Sequence, residues 1–141
     1  MNDSLVSADF AVPVGFETEC FVLRPLTIHD VVKDYDAMVS RGGEHVNLTL
    51  EQNLIDLGWH QVEFQRRSSF TYTVMSTDGT RCLGCVYIYP SRTEAVDADI
   101  HLWVRGDEQD TGLDGYLYDS IRRWIDDTWC FNRVAYPQRS D

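Results

Sequence analysis

Gln109, Thr111, Gly112, Leu113, Asp114 and Gly115 lie in a short polar run between a hydrophobic strand pattern and an amphipathic helix pattern. A strand that feeds a glycine-bearing turn opening a helix presents backbone N–H groups with no intrahelical partner, at the positive end of the helix dipole. That arrangement suits a phosphate. Here the same stretch carries Asp107, Glu108, Asp110 and Asp114, so an anion-binding frame is set among negative charges. Thr111 and Asp114 also have T-x-x-D spacing, which would fold the Asp114 carboxylate back onto the Thr111 N–H as a capping box. Such a cap stabilises a helix by about 0.5–2 kcal/mol, and it would place a protein anion where a phosphate should sit. Unit charges about 4 Å apart repel by about 4 kcal/mol at an effective dielectric of about 20. A penalty of that size weakens binding by roughly a thousandfold. Arg105, Arg122 and Arg123 are the cations near enough in sequence to offset part of it.

A second pattern with chemical potential is Cys82-Leu83-Gly84-Cys85. In a redox C-x-x-C motif the pair opens a helix, whose N-terminus lowers the thiol pKa. This pair instead begins an alternating strand pattern, Cys82 to Tyr89, in which positions three apart point to opposite faces. The thiols are therefore expected to diverge. A zinc site would want a second close pair, and Cys20 and Cys130 are far apart, so the sequence assigns no metal site.

The elements that must position these residues can be read from periodicity and punctuation. Residues 1–20 form an expected irregular leader, broken by Pro13 and Gly15, and residues 21–141 a single domain. Phe21 to Leu26 reads as a short strand with Pro25 at its end. Thr27 with Asp30 has capping-box spacing and opens a helix through Val39; Thr49 with Gln52 repeats it for a helix to about Arg67. That second helix has Leu50, Leu54, Leu57, Val62 and Phe64 as its apolar positions. Phe70 to Ser76 alternates into the hairpin turn Thr77-Asp78-Gly79-Thr80, and the return strand stops at Pro90. Ala98 to Arg105 is a further strand, residues 112–129 a helix with Leu113, Leu117, Ile121 and Trp124 on one face, and Phe131 to Tyr136 a last strand. A strand–helix–strand crossover makes those two strands parallel if they share a sheet. The expected fold class is α+β, a mixed and mostly antiparallel sheet flanked by helices.

Composition narrows the partners. The 141 residues include 12 basic and 23 acidic side chains, a net charge of −11, with 43% hydrophobic and 12% aromatic content. So acidic a chain lacks the Lys and Arg that neutralise nucleic-acid phosphates or hold an anionic membrane surface, and its charge favours cationic ligands such as amines. No apolar run of about 18 residues marks a membrane span, and no basic segment precedes the N-terminal apolar residues as in a signal peptide. A cytoplasmic protein with reduced thiols is expected. Trp59, Trp103, Trp124 and Trp129, with Tyr87 and Tyr89, are expected to supply core area. Tyr116 and Tyr118 fall on different helix faces, and exposed aromatics would offer a homodimer surface.

The order of elements, the opening Leu23-Arg24-Pro25-Leu26-Thr27-x-x-Asp30 and the strand–turn–helix over residues 98–129 resemble the GNAT superfamily of N-acetyltransferases. That family marks its acetyl-CoA site with (Q/R)-x-x-G-x-(G/A), onto which Gln109, Gly112 and Leu113 fall, whereas Asp114 replaces the final small residue. The sequence stops right after the family's fifth strand, so the family's later helix and last two strands are expected to be missing from it. The resemblance implies acetyl transfer to an amine acceptor, a small molecule or a peptide. It implies a pantetheine arm along Trp103, Val104 and Arg105, and a pyrophosphate near Thr111 to Gly115. Asp99 falls where the ribosomal-protein subgroup carries an acidic residue and is the implied general base. His101, on the same strand face, is second because its ordinary pKa lies near neutrality. The competing expectation is a degenerate GNAT-fold module that binds a partner or ligand and transfers nothing. A third, redox reading through Cys82 and Cys85 requires a reactive thiolate.

Overall fold

Six strands join in sequence order into one sheet in the computed structural model, which describes residues 4–139. They are β1 (Phe16–Glu17), β2 (Val22–Pro25), β3 (Phe70–Met75), β4 (Cys82–Pro90), β5 (Ala98–Val104) and β6 (Val134–Ala135). Each pair from β1 to β5 is antiparallel, and β5 with β6 is parallel, as the crossover through the last helix requires. Three helices cover the sheet: α1 (Val31–Ser40), α2 (Leu50–Arg66) and α3 (Leu113–Thr128). None of the described helices is long and apolar enough to cross a membrane.

Period-two alternation divides the sheet into two faces. Phe70, Tyr72, Val74, Val86, Ile88, Ile100 and Leu102 are buried with Leu117, Ile121 and Trp124 of α3. Thr71, Cys85, Tyr87 and Trp103 face the other way, where Asp34 of α1 meets Cys85 at 3.3 Å and His60 of α2 meets Thr71 at 3.1 Å. Both capping boxes form as their spacing predicts, Thr27 with Asp30 and Thr49 with Gln52. The first opens a 3-10 turn over Ile28–Asp30, and α1 proper follows from Val31.

Several sequence expectations need correction. The leader is not merely irregular. Phe16–Glu17 pairs with β2, Val6 is buried, and the Tyr72 hydroxyl donates to the Pro13 carbonyl at 2.6 Å. The last strand shrinks to Val134–Ala135. Trp59 is 61% exposed, and Leu50 and Leu54 are also exposed, because α2 turns only a narrow stripe around Leu57 inward. The most consequential correction concerns the thiols. Val74 pairs with Gly84 but Met75 pairs with Cys82, so Leu83 is an extra residue in the ladder, a β-bulge. The bulge resets the alternation: Leu83 joins the α3 side, and Cys82 swings to the side of Cys85. Gly84 permits it, since a Cβ there would lie 2.0 Å from the Trp103 carbonyl oxygen of β5.

Asp30 does two jobs at the start of α1. It accepts the Thr27 amide at 2.9 Å and both Arg24 guanidinium nitrogens at 3.0 and 2.7 Å. Burial pushes its pKa up, but the Arg24 and Thr27 hydrogen bonds outweigh burial and hold it below the ordinary carboxylate value. A depressed folded-state pKa stabilises the fold above the ordinary carboxylate range, and the contribution is lost as pH falls through the depressed value. Asp30→Asn should therefore cost about 1.5–3 kcal/mol at neutral pH, read from urea unfolding. The gap from wild type should close in strong acid; a gap independent of pH would contradict the assignment.

Candidate functional site

The site begins where β6 leaves β5. The Asp97 carboxylate accepts the amides of Asn132 and Arg133 at 2.7 and 3.1 Å, and the Asp97 amide donates to the Arg133 carbonyl at 2.8 Å. This clamp fixes the register Ala98 to Val134 and Asp99 to Ala135, after which pairing stops. Among the described residues, Leu102, Trp103 and Val104 thus have no strand partner on that edge. Their side chains are taken: the Trp103 indole donates to the Tyr87 hydroxyl at 2.8 Å, and Val104 lies in the core. Arg105, expected to offset the turn's charge, pairs instead with Asp107 at 2.8 Å and Asp36 at 3.1 Å and donates to the Cys82 carbonyl. What this edge can offer a ligand is its backbone.

β5 continues through a 3-10 turn at Gly106–Glu108 and past the exposed Gln109 to Gly112, the N-cap of α3. Gly112 has φ +89°, a left-handed conformation that glycine adopts without steric cost. The helix therefore starts one residue later than the T-x-x-D spacing supposed. Asp114 is the second helical residue rather than the third, and the predicted box with Thr111 does not form. The Thr111 hydroxyl lies 2.9 Å from the Glu108 carbonyl and accepts the Leu113 amide at 3.3 Å. The amides of Gly112, Asp114 and Gly115 meet no acceptor among the described residues. A cavity of about 530 Å³ lies beside the turn, lined by Thr111, Gly112, Leu113, Leu83, Cys20 and Tyr116.

The Asp114 carboxylate is engaged by Arg139, whose guanidinium forks onto both carboxylate oxygens, one of them at 2.9 Å, and lies 5.0 Å from the Tyr118 ring centre. Those hydrogen bonds hold the Asp114 pKa below its ordinary value. Arg139 is 25 residues from Asp114, and no local pattern joins them. Arg122 stacks on Tyr118 at 5.2 Å, and Arg123 lines a separate depression with Phe16 and Trp124.

Asp99 and His101 are brought together, half-buried on the α1/α2 face, opposite Tyr89 and Tyr87 of β4. Sequence reasoning missed their companions. Tyr87 and Tyr89 stack at 5.7 Å, Tyr89 lies 5.7 Å from His101, and His60 lies 5.5 Å from Tyr87. Two cavities open here, both lined by His60 and Tyr89. One, of about 610 Å³, also includes Trp59 and Glu63; the other, of about 180 Å³, also includes Asp34, Asp56 and Tyr87. Burial pushes the Tyr87 hydroxyl well up and the Tyr89 hydroxyl up to about 12, so both keep their protons at neutral pH. No periodicity could have announced His60, because how α2 lies on the sheet is a tertiary fact.

The chain matches no protein-family model and no curated protein. Its backbone does match solved structures. A candidate GnaT-family acetyltransferase from Bordetella pertussis superposes with a TM-score of 0.67 at 17% identity, over 81% of this chain and 73% of that one. The ribosomal-protein-S5-alanine acetyltransferase from Vibrio fischeri gives 0.63 at 15% identity, over 80% and 67%. The microcin C7 self-immunity acetyltransferase MccE, solved with acetyl-CoA and AMP, gives 0.60 at 12% identity, over 82% and 68%. The fold is the GNAT acetyltransferase fold. In this GNAT fold the strand–turn–helix anticipated from Gln109 and Gly112 is the junction of β5 with α3.

His60 supplies a check on this face. Burial lowers its pKa, against the opposing pull of Asp56, Asp34 and Glu63. A histidine whose folded pKa lies below its unfolded one costs the fold stability as pH drops below about 6.5. The loss stops growing once pH passes the lowered value. The His60 ring should titrate below the ordinary histidine range in proton NMR, and His60→Gln should flatten that part of the stability–pH curve. An ordinary or raised His60 pKa would contradict the buried placement.

Proposed function

We propose that this chain is an acetyl-CoA-dependent N-acetyltransferase of the GNAT type, acting on a small-molecule or peptide amine in the cytoplasm. The observation that carries the reading is the edge of β5 at Leu102–Val104, unpaired among the described residues, leading into a turn whose Gly112, Asp114 and Gly115 amides meet no acceptor among them. An extended amide-bearing arm can hydrogen-bond to a strand edge, and a pyrophosphate to unpaired amides at a helix start. Neutralisation of Asp114 by Arg139 lifts the main electrostatic objection to a phosphate there.

Acetyl-CoA would supply the acetyl group as a thioester. The chain's residues must then hold the cofactor, admit an amine and take its proton so that the nitrogen lone pair is free to attack. Asp99 and His101 are the base candidates on the face that Tyr87 and Tyr89 share, with His60 an additional one. The neutral Tyr87 and Tyr89 hydroxyls are proton donors suited to the leaving sulfur. Acidic groups at Asp34, Asp56 and Glu63 line the adjoining cavities and favour a cationic acceptor.

The presence of Asp114 on the turn favours a second reading, a binding module that holds a ligand and transfers nothing. Calorimetric titration with acetyl-CoA, followed by assay of thiol release with polyamines, amino sugars and peptides as acceptors, separates the two. Binding with amine-dependent thiol release is expected. Binding without release across all acceptors supports the module, and no heat at high micromolar cofactor with folded protein rejects the enzyme. Asp114→Asn frees the Arg139 guanidinium and should tighten binding about tenfold, whereas Arg139→Ala should weaken it about tenfold, roughly 1.4 kcal/mol each way. Unchanged affinity in both variants would remove the turn from the site.

A further inference from the structure

The bulge at Leu83 has gathered three metal-ligating side chains that lie apart in sequence. The Asp34 carboxylate and the Cys82 and Cys85 sulfurs each offer a ligand atom, these atoms lie within 4.8 Å of one another, and all three residues are buried. Cys85 Sγ is 3.3 Å from Asp34 Oδ1. Asn53 Nδ2 donates to the other oxygen of Asp34 at 2.9 Å and fixes the carboxylate's orientation. An outer residue of this kind commonly orients a metal-binding carboxylate.

We propose that Asp34, Cys82 and Cys85 form a binding site for a zinc-class divalent cation. In a tetrahedral site with Zn–S of about 2.3 Å and Zn–O of about 2.0–2.2 Å, neighbouring ligand atoms stand roughly 3.5–3.8 Å apart. The Asp34–Cys85 contact is already at about that spacing, and the 4.8 Å limit on the set leaves about 1 Å to close. The bulge sets Cys82 opposite Met75 and Cys85 opposite Thr73, two steps apart on β3, so both side chains leave the same face and their sulfurs converge. Two thiolates and one carboxylate form a donor set for a borderline-soft cation rather than for calcium or magnesium, which require oxygen ligands. The 180 Å³ cavity, lined by Asp34, Asn53 and His60, reaches the carboxylate of this set. Binding replaces up to three protons, which pass to solvent, and the dication balances charges that could not otherwise be buried together. The expected divergence of Cys82 and Cys85 assumed a regular strand, which the bulge removes, and Asp34 stands where the sequence offered no second cysteine pair.

Cobalt titration tests the site. Reduced, chelator-treated protein should develop a near-ultraviolet thiolate-to-cobalt absorption that saturates at one equivalent of Co²⁺ and is bleached by Zn²⁺. The exposed thiols are removed in a Cys20→Ser/Cys130→Ser protein, which should keep the full signal. In that background Cys85→Ser should abolish it and Asp34→Asn should weaken cobalt affinity at least tenfold, with circular dichroism confirming the fold. Where a variant does not fold, the Cys20→Ser/Cys130→Ser protein alone decides, because Zn²⁺ should protect its two remaining thiols from alkylation and raise its unfolding midpoint. Absence of the absorption at one equivalent, its loss on replacing Cys20 and Cys130, or alkylation unaffected by Zn²⁺ would overturn the proposal.

Discussion

The function proposed for this chain depends on where β5 and β6 part, and one carboxylate ties the two strands together at their start. Asp97 binds the amides of Asn132 and Arg133 just before the two strands pair, so the parallel ladder is tied at its start and lasts only through Asp99 and Ala135. Beyond it β5 runs on toward the Gly112 turn with a bare edge, while the chain after β6 passes along α3 until Arg139 meets Asp114.

Charge is the second organising constraint. A chain with net −11 must place its few guanidinium groups with care if any anion is to bind. Arg24 and Arg105 are committed to Asp30 and to Asp36 with Asp107, where they fasten α1 and the 3-10 turn after β5. Arg139 is held at the turn, on the carboxylate that would otherwise repel a phosphate. Asp34, Asp56 and Glu63 line the cavities that His60 and Tyr89 share.

The legible part of the fold was what local chemistry determines. Thr27 with Asp30 and Thr49 with Gln52 announced their helices, Asp78-Gly79 its hairpin, and the crossover at residues 98–135 its parallel pair. Asp99 and His101 shared a face because strand alternation is local. What escaped was tertiary or depended on a single-residue irregularity. The bulge at Leu83 inverted the expected divergence of Cys82 and Cys85, and the left-handed Gly112 moved the start of α3 by one residue and dissolved the Thr111–Asp114 box. Arg139 and His60 act through contacts across 25 and 11 residues that no periodicity encodes.

The central claim is that a CoA thioester lies along the free edge of β5 with its phosphates at the start of α3. Residue-resolved amide NMR during titration with acetyl-CoA addresses it most directly. The account predicts saturable shifts at the amides of Trp103 to Arg105 and of Gly112 to Gly115, with Val22 to Pro25 unmoved. Shifts confined to other surfaces, with those two stretches unchanged at saturation, would contradict it.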